Sequence, residues 1–240
     1  MYFGYGYGFS GMIYLLPAML FTLWSQMRVK GSFNKYSKVR NHRNMTGAEA
    51  ARRVLDANGL SNVGIRRISG SLTDHYDPRS RVLSLSDSVY GQTSIAAVSV
   101  ACHEAGHAIQ HARSYMPLKL RNAIVPVVNF ASGFTWILLM IGLGMLFAGG
   151  SQMHSVGNLV FNIGVLTFVA VVAFHLITLP VELDASRRAV NQMEELAIID
   201  GEEKTGSKRV LRAAALTYVA ALAVAVAQLL RILAIRGRQD

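Results

Sequence analysis

Cysteine is almost absent from this 240-residue chain. Cys102 stands alone, so no intramolecular disulfide can form and no cysteine-rich metal knuckle exists. A free cysteine usually behaves as a small buried residue, and that is the expectation for Cys102. Charge is scarce too: 16% of residues are charged and 52% hydrophobic, an apolar excess over ordinary soluble domains. Acidic residues are the scarcer sign, with 14 Asp and Glu against 24 Lys and Arg, a formal net charge of +10. In a soluble protein that surplus would suggest nucleic acid. Here the basic residues cluster beside long apolar runs, which points to a lipid bilayer and away from nucleic acid. Internal repeats and low-complexity tracts are also lacking.

What is present begins with four apolar runs, at about 8–27, 125–148, 156–179 and 213–235. Each approaches or exceeds the roughly 20 helical residues that a bilayer core requires. The first three contain no Asp, Glu, Lys or Arg. The fourth is Ala-rich and carries Gln228 and Arg231, so it reads as a tilted span, a buried helix, or a span whose arginine reaches an interface. The opening "MYFGYGYGFS" has no basic residue and predicts an uncleaved anchor, with Tyr2, Phe3, Tyr5, Tyr7 and Phe9 as an interfacial belt. Arg28, Lys30, Lys35, Lys38, Arg40 and Arg43 follow the first run, and Arg187, Arg188, Lys204, Lys208, Arg209 and Arg212 separate the third from the fourth. The link "GGSQMHSV" has neither Lys nor Arg. The positive-inside rule then places the N-terminus outside and both polar regions in the cytoplasm. The tail "RGRQD" falls outside if the fourth run spans.

The expected organisation is an anchor at 1–27, a cytoplasmic region at 28–124 and a helical hairpin of spans at 125–179. A second cytoplasmic segment at 180–212 and a fourth apolar helix with a basic tail at 213–240 complete it. The predicted fold class is mainly α: an integral membrane helical protein with a cytoplasmic HExxH helix and a small β-hairpin or two-stranded sheet. Within the first polar region, "TGAEAARRVLDANGL" predicts a helix with Thr46 as N-cap, Glu49 completing a capping box, and Gly59 as the stop. "GIRRISGSL" and "SRVLSLS" read as strands, separated by turn chemistry in "TDHYDP".

The next helix carries "HEAGH", residues 103 to 107. Residues four apart share one helix face, so His103 and His107 can direct imidazole nitrogens at one zinc ion. Glu104 can then take the proton of a water whose pKa zinc lowers to about 7, and pass it to a leaving amine. Spacing alone also fits an amphipathic helix with surface histidines. The apolar flanks "IAAVSVAC" and "AIQHA" favour the metal reading, because an unpaired glutamate on a buried helix is costly. A catalytic zinc needs a third protein ligand and an open position. After Glu104 the next acidic residue is Glu182, in "LPVELDASRRAV", and it is the choice for third ligand; Pro180 can start a new helix there. Alternatively, Glu182 and Asp184 are carboxylates complementing a helix N-terminus, with Asp184 on a different face from Glu182.

"TGAEAARRVLDANGL", "LTDHYDPRSRVLSLSDSVY", "TSIAAV", "HEAGHAIQHA", "YMPLKLR" and "LPVELDASRRA" together resemble the bacterial membrane-bound neutral zinc metallopeptidases of the YugP type, over nearly the whole chain. More distantly the layout is similar to the gluzincins, including membrane proteases of the HtpX kind. The resemblance implies a plasma (inner) membrane, multi-pass HExxH peptidase with its site facing the cytoplasm. It implies His103, His107 and Glu182 as metal ligands and Glu104 as catalytic base. In many gluzincins an aspartate four residues after the ligand glutamate orients a metal-bound histidine; here that position is Ser186, with Asp184 nearby but out of phase.

The expected partners are a protein or peptide substrate, the bilayer, and a membrane regulatory partner that restrains a site open to the cytoplasm. An extended substrate would pair with a strand edge, and Arg81, Val82, Leu83, Ser84, Leu85 and Ser86 form the expected edge, or else an ordinary structural strand. His75, Arg188 and Asn191 are candidate transition-state donors, and Asp184 and Ser186 candidate supports of the ligands. His111 continues the ligand face, with a plain surface histidine as the simpler reading. His175 reads as a packed residue near the end of the third run. The rival class is a non-catalytic, zinc-stabilised membrane scaffold or adaptor. Its structural zinc would call for four protein ligands and would have no use for Glu104.

Overall fold

The computed structural model describes residues 6–148 and 150–236, with the backbone alone for residues 6–12, 148 and 151. Tyr2, Phe3 and Tyr5, the side chains of Tyr7 and Phe9, and the tail beyond Arg236 lie outside the described residues. The elements are α1 (Gly6–Tyr36), α2 (Gly47–Ala57), β1 (Gly64–Ile68), β2 (His75–Asp77), β3 (Val82–Ser86), α3 (Ile95–Ala112), α4 (Met116–Ala148), α5 (Ser151–Glu195) and α6 (Gly201–Arg236). They divide into two units. One comprises residues 24–119 and 179–218; the other comprises the chain up to Leu23, residues 120–178, and the chain from Val219.

The first unit is built on a mixed core. Thr46 caps α2 in extended conformation, and its capping box with Glu49 is complete. Gly59, at φ +72°, ends that helix in the left-handed region that glycine adopts at no steric cost. Ala50, Ala51, Val54 and Leu55 form the buried face of α2. Burying Val54 and Leu55 contributes about 1.5–3 kcal/mol each. They pack with Leu83 and Leu85 of β3, Ala97, Ala101 and Ala105 of α3, and Ala189 and Met193 of α5.

The sheet has three strands in the order β1-β3-β2, one more than the expected hairpin or two-stranded sheet. β2 and β3 form the antiparallel hairpin, and β1 adds to β3 in parallel. Part of "TDHYDP" is itself a strand, because His75 to Asp77 pair with Ser84 to Val82. Turn chemistry is confined to the residues that follow. There the Asp77 carboxylate accepts the Arg79 N–H at 2.9 Å and the Ser80 hydroxyl at 2.6 Å. α3 follows, capped by Ser94, whose hydroxyl oxygen accepts the Ala97 N–H at 3.1 Å. Pro180 does not start a new helix: α5 continues through it from Ser151 to Glu195. Proline removes one helical N–H, and the Val181 and Ala185 that follow are fully buried.

In the second unit, α4 and α5 meet through glycine. A Cβ on Gly142 would stand 2.6 Å from the Phe161 backbone nitrogen, and one on Gly164 would press on Leu139. Thr135 donates to the Thr167 hydroxyl at 2.9 Å. Leu139, Phe161 and Phe168 enclose Ile232 of α6. Outward-facing side chains such as Phe130, Met140 and Leu166 are exposed and apolar. Among the described residues, three helices are long and apolar enough to cross a membrane: Met116–Phe147, Gln152–Glu195 and Gly201–Arg236. The last contains the fourth apolar run. The chain is a mainly helical membrane protein with a small sheet.

Candidate metal centre

α3 carries HEAGH as one stretch of regular helix, so His103 and His107 stand one turn apart on one face. Their rings meet edge to face with centroids 4.8 Å apart. α5 brings Glu182 against both. Its Oε2 lies 3.3 Å from His103 Nε2 and 3.5 Å from His107 Nε2. One ligand atom from each of the three residues lies within 4.8 Å of the others. Tetrahedral zinc with ligands at about 2.0–2.2 Å separates neighbouring donors by about 3.3–3.6 Å, and the two distances to Glu182 fit that ion. Two imidazoles and a carboxylate also form the three-donor set that leaves a coordination position open.

Both Nδ1 atoms are occupied from outside the cluster, which turns both Nε2 atoms inward. His103 Nδ1 lies 3.1 Å from the Ser186 hydroxyl, and His107 Nδ1 lies 3.0 Å from Gln110 Oε1. Ser186 thus meets His103 from α5, four residues beyond Glu182. Burial opposes charge on His107, but the bond to Glu182 and the charges of Glu104 and Glu182 outweigh it and raise the pKa.

Helix α3 can approach α5 this closely because of Gly106, the fourth residue of HEAGH. A Cβ there would stand 2.7 Å from the Ala185 carbonyl oxygen. Beside the cluster is a cavity of about 210 Å³ that His103, Glu104, Glu182 and Ser186 line on one side. Val100, Val210, Leu211 and Ala214 make its apolar wall, and Asp74, Thr217 and Tyr218 add polar groups.

Several expected site residues lie elsewhere. β3 is the central strand, so Arg81 to Ser86 offer no free edge. Val82 to Ser84 are paired by β2 on one side, and Val82 to Ser86 by β1 on the other. The Ser86 N–H beyond the β2 pairing donates to Asp74 Oδ1 at 2.7 Å. Arg81 is engaged at the turn, where its carbonyl accepts the Gly64 N–H at 3.0 Å. The unpaired edges of the sheet belong to β1 and β2.

His75, Arg188 and Asn191 do not line the cavity at the metal cluster. His75 is exposed, with its ring Nδ1 3.0 Å from the Thr73 carbonyl. Arg188 Nε donates to Asp184 at 2.5 Å, and its guanidinium lies 5.6 Å from the Tyr115 ring centroid. Asn191 lines a different cavity, beside Arg113 and Arg187. Asp184 is buried and paired with both Arg187 and Arg188, and it also accepts from Gln110 Nε2 at 2.9 Å.

His111 is 3.0 Å from the Tyr76 hydroxyl and ties α3 to β2. Cys102 is fully buried, and burial pushes its thiol up, which disfavours the thiolate a ligand role would need. A second group, His42, Asp200 and Glu203, serves the backbone. The Glu203 carboxylate accepts the His42 and Asp200 backbone N–H groups at the start of α6. Gln110 and Tyr218 are functional candidates that sequence reasoning does not reach. Gln110 is the one polar residue in the "AIQ" that follows His107, where it passes for part of an apolar flank.

No solved structure matches this chain. A curated relative, "Putative membrane protease YugP" of Bacillus subtilis (strain 168), is 49% identical over 227 residues, covering 94% of this chain and 96% of the relative. The family model described as "Putative neutral zinc metallopeptidase" matches residues 11–237, nearly the whole chain including the helix of His103 and His107 and the turn of Glu182. The chain belongs to that neutral zinc metallopeptidase family.

Proposed function

We propose that the chain is a zinc metalloendopeptidase that hydrolyses peptide bonds in membrane or membrane-proximal proteins at the cytoplasmic face of the plasma (inner) membrane. The observation that carries this reading is the convergence of His103 Nε2, His107 Nε2 and Glu182 beside a cavity that Glu104 also lines. His103, His107 and Glu182 would hold the ion. Bound there, zinc supplies Lewis acidity that makes water a usable nucleophile near neutral pH and polarises a carbonyl.

The remaining work falls to the chain. Glu104 takes a proton from the attacking water and delivers it to the nitrogen of the departing amine. Tyr218, in the wall of the same cavity, is the candidate donor to the oxygen that gains charge in the transition state. The apolar wall of Val100, Val210, Leu211 and Ala214 accommodates an apolar substrate side chain and excludes water from the reacting centre. Supporting the cytoplasmic orientation are the basic residues flanking the apolar runs. A scaffold role is disfavoured by the three-donor set, because a structural zinc is normally closed by four protein ligands.

The test pairs wild type with Glu104→Gln, both purified in detergent. Zinc content is measured together with cleavage of an unfolded reporter protein. The expected result is about one zinc in each, with cleavage by the wild type alone. Equal cleavage by both would remove Glu104 from the chemistry, and a wild type that binds no zinc would overturn the reading altogether.

A further inference from the structure

We propose that Gln110 is a positioning residue for the metal centre: it fixes which nitrogen of His107 carries the proton and so presents the Nε2 lone pair to the ion. The inference rests on the zinc-peptidase reading and adds a residue which that reading does not require.

Gln110 is fully buried, so its amide has no solvent to turn to. Its Nε2 donates to the Val181 carbonyl at 2.8 Å and to Asp184 Oδ2 at 2.9 Å. A backbone carbonyl accepts only, and so does a carboxylate paired with two arginines, as Asp184 is with Arg187 and Arg188. Exchanging the amide nitrogen and oxygen would set oxygen against two acceptors, so the orientation is determined by its partners. Oε1 therefore faces His107 Nδ1, at 3.0 Å. An amide oxygen cannot donate, so a neutral imidazole that keeps this contact carries its proton on Nδ1. Nε2 is then unprotonated, and with the Glu182 carboxylate 3.5 Å away the two acceptors face each other across the position a cation would take.

His103 differs. Its Nδ1 partner is the Ser186 hydroxyl, which can donate or accept, so that contact leaves the tautomer of His103 open. Gln110 has a second effect. Its two donors hold α3 against the turn of α5 from Val181 to Asp184, and Glu182 lies within that turn. One side chain thus directs one ligand and sets the distance to another.

Two variants separate this role from packing. Gln110→Met keeps approximate volume and removes every hydrogen bond. Gln110→Glu keeps an acceptor toward His107 but loses both donors and sets a second carboxylate beside Asp184. Zinc affinity is read by competition titration of the full chain in detergent, and fold stability by thermal unfolding of the metal-free protein. The expected result is zinc binding weakened about 10–100-fold in Gln110→Met, the usual cost of losing a ligand's outer partner. Gln110→Glu should bind zinc more tightly than Gln110→Met while unfolding at a lower temperature. A packing role reverses that order.

Nitrogen NMR of histidine-labelled, metal-free wild type at alkaline pH gives an independent reading that needs no variant to fold. The proton of His107 is expected on Nδ1. Wild-type affinity in Gln110→Met, affinities that simply follow stability, or a proton on Nε2 would each overturn the proposal. Absence of zinc binding by the wild type would instead overturn the peptidase reading, and the NMR would still decide the tautomer.

Discussion

Gly106 and Ala185 meet backbone to backbone, with room for a hydrogen on Gly106 and none for a methyl group. In an open helix Gly106→Ala would stabilise by about 1 kcal/mol. Here the added carbon would stand 2.7 Å from a carbonyl oxygen that belongs to a helix backbone and cannot swing aside. The expected net effect is destabilisation by about 1–3 kcal/mol, the usual range for overpacking. Zinc content should fall as α3 withdraws from Glu182. Thermal unfolding with metal analysis checks both, and a more stable variant with full zinc would show that the close approach is dispensable.

Glu182 joins two half-buried imidazoles from the opposite helix. A ligand that binds only the folded state stabilises it by about 2.7 kcal/mol at one hundred times its dissociation constant. A chelator should therefore lower the unfolding temperature of the wild type in zinc-containing buffer. In Glu182→Ala the same chelator should change little, because the ion is already weakly held. Equal chelator shifts in both proteins would remove Glu182 from the ligand set.

Asp74 gives the pH dependence a defined sign. Burial raises its carboxyl above the ordinary aspartate range, and the hydrogen bonds from Ser86 offset this only in part. Between the ordinary value of about 3.9 and the raised one, the folded chain holds a proton that the unfolded chain has released. The associated stability is full below the unfolded value and is lost as pH rises through the folded value. Wild type should thus lose stability relative to Asp74→Asn on going from acid to neutral pH, with both proteins kept metal-free. Unfolding temperatures measured across that range check the difference, and a flat or opposite trend would contradict it.

Tyr218 lines the cavity beside Glu104 and is expected to act on the transition state more than on bound substrate. Tyr218→Phe should lower kcat about 100-fold, the lower end for losing an oxyanion donor, with KM and zinc content little changed. A loss confined to KM would assign the ring to substrate binding, and unchanged kinetics would remove it from the site.

The parts of this protein that can be read from sequence are those written within one helix. The Thr46 cap, the one-turn separation of His103 and His107, and the long apolar helices depend on spacings of three to five residues or on length. Glu182 can be selected because no other carboxylate intervenes after Glu104. The parts that escape depend on pairing at a distance. β1 joins β3 in parallel across an intervening strand, and nothing in "GIRRI" records that partner. The same pairing makes β3 central, so its apparent edge disappears. Asp184 looks out of phase because it does not meet a ligand directly; Gln110 bridges the gap from the other helix.

α5 runs without a break from Ser151 to Glu195, through Pro180 and past Glu182, Asp184 and Ser186. Each residue inserted into an α-helix turns everything beyond it by about 100°. A single insertion or deletion between Glu182 and Ser186 would therefore carry one of them to another side of the helix while leaving every side chain chemically intact. With no loop there to absorb the change, this stretch should accept substitutions far more readily than changes in length.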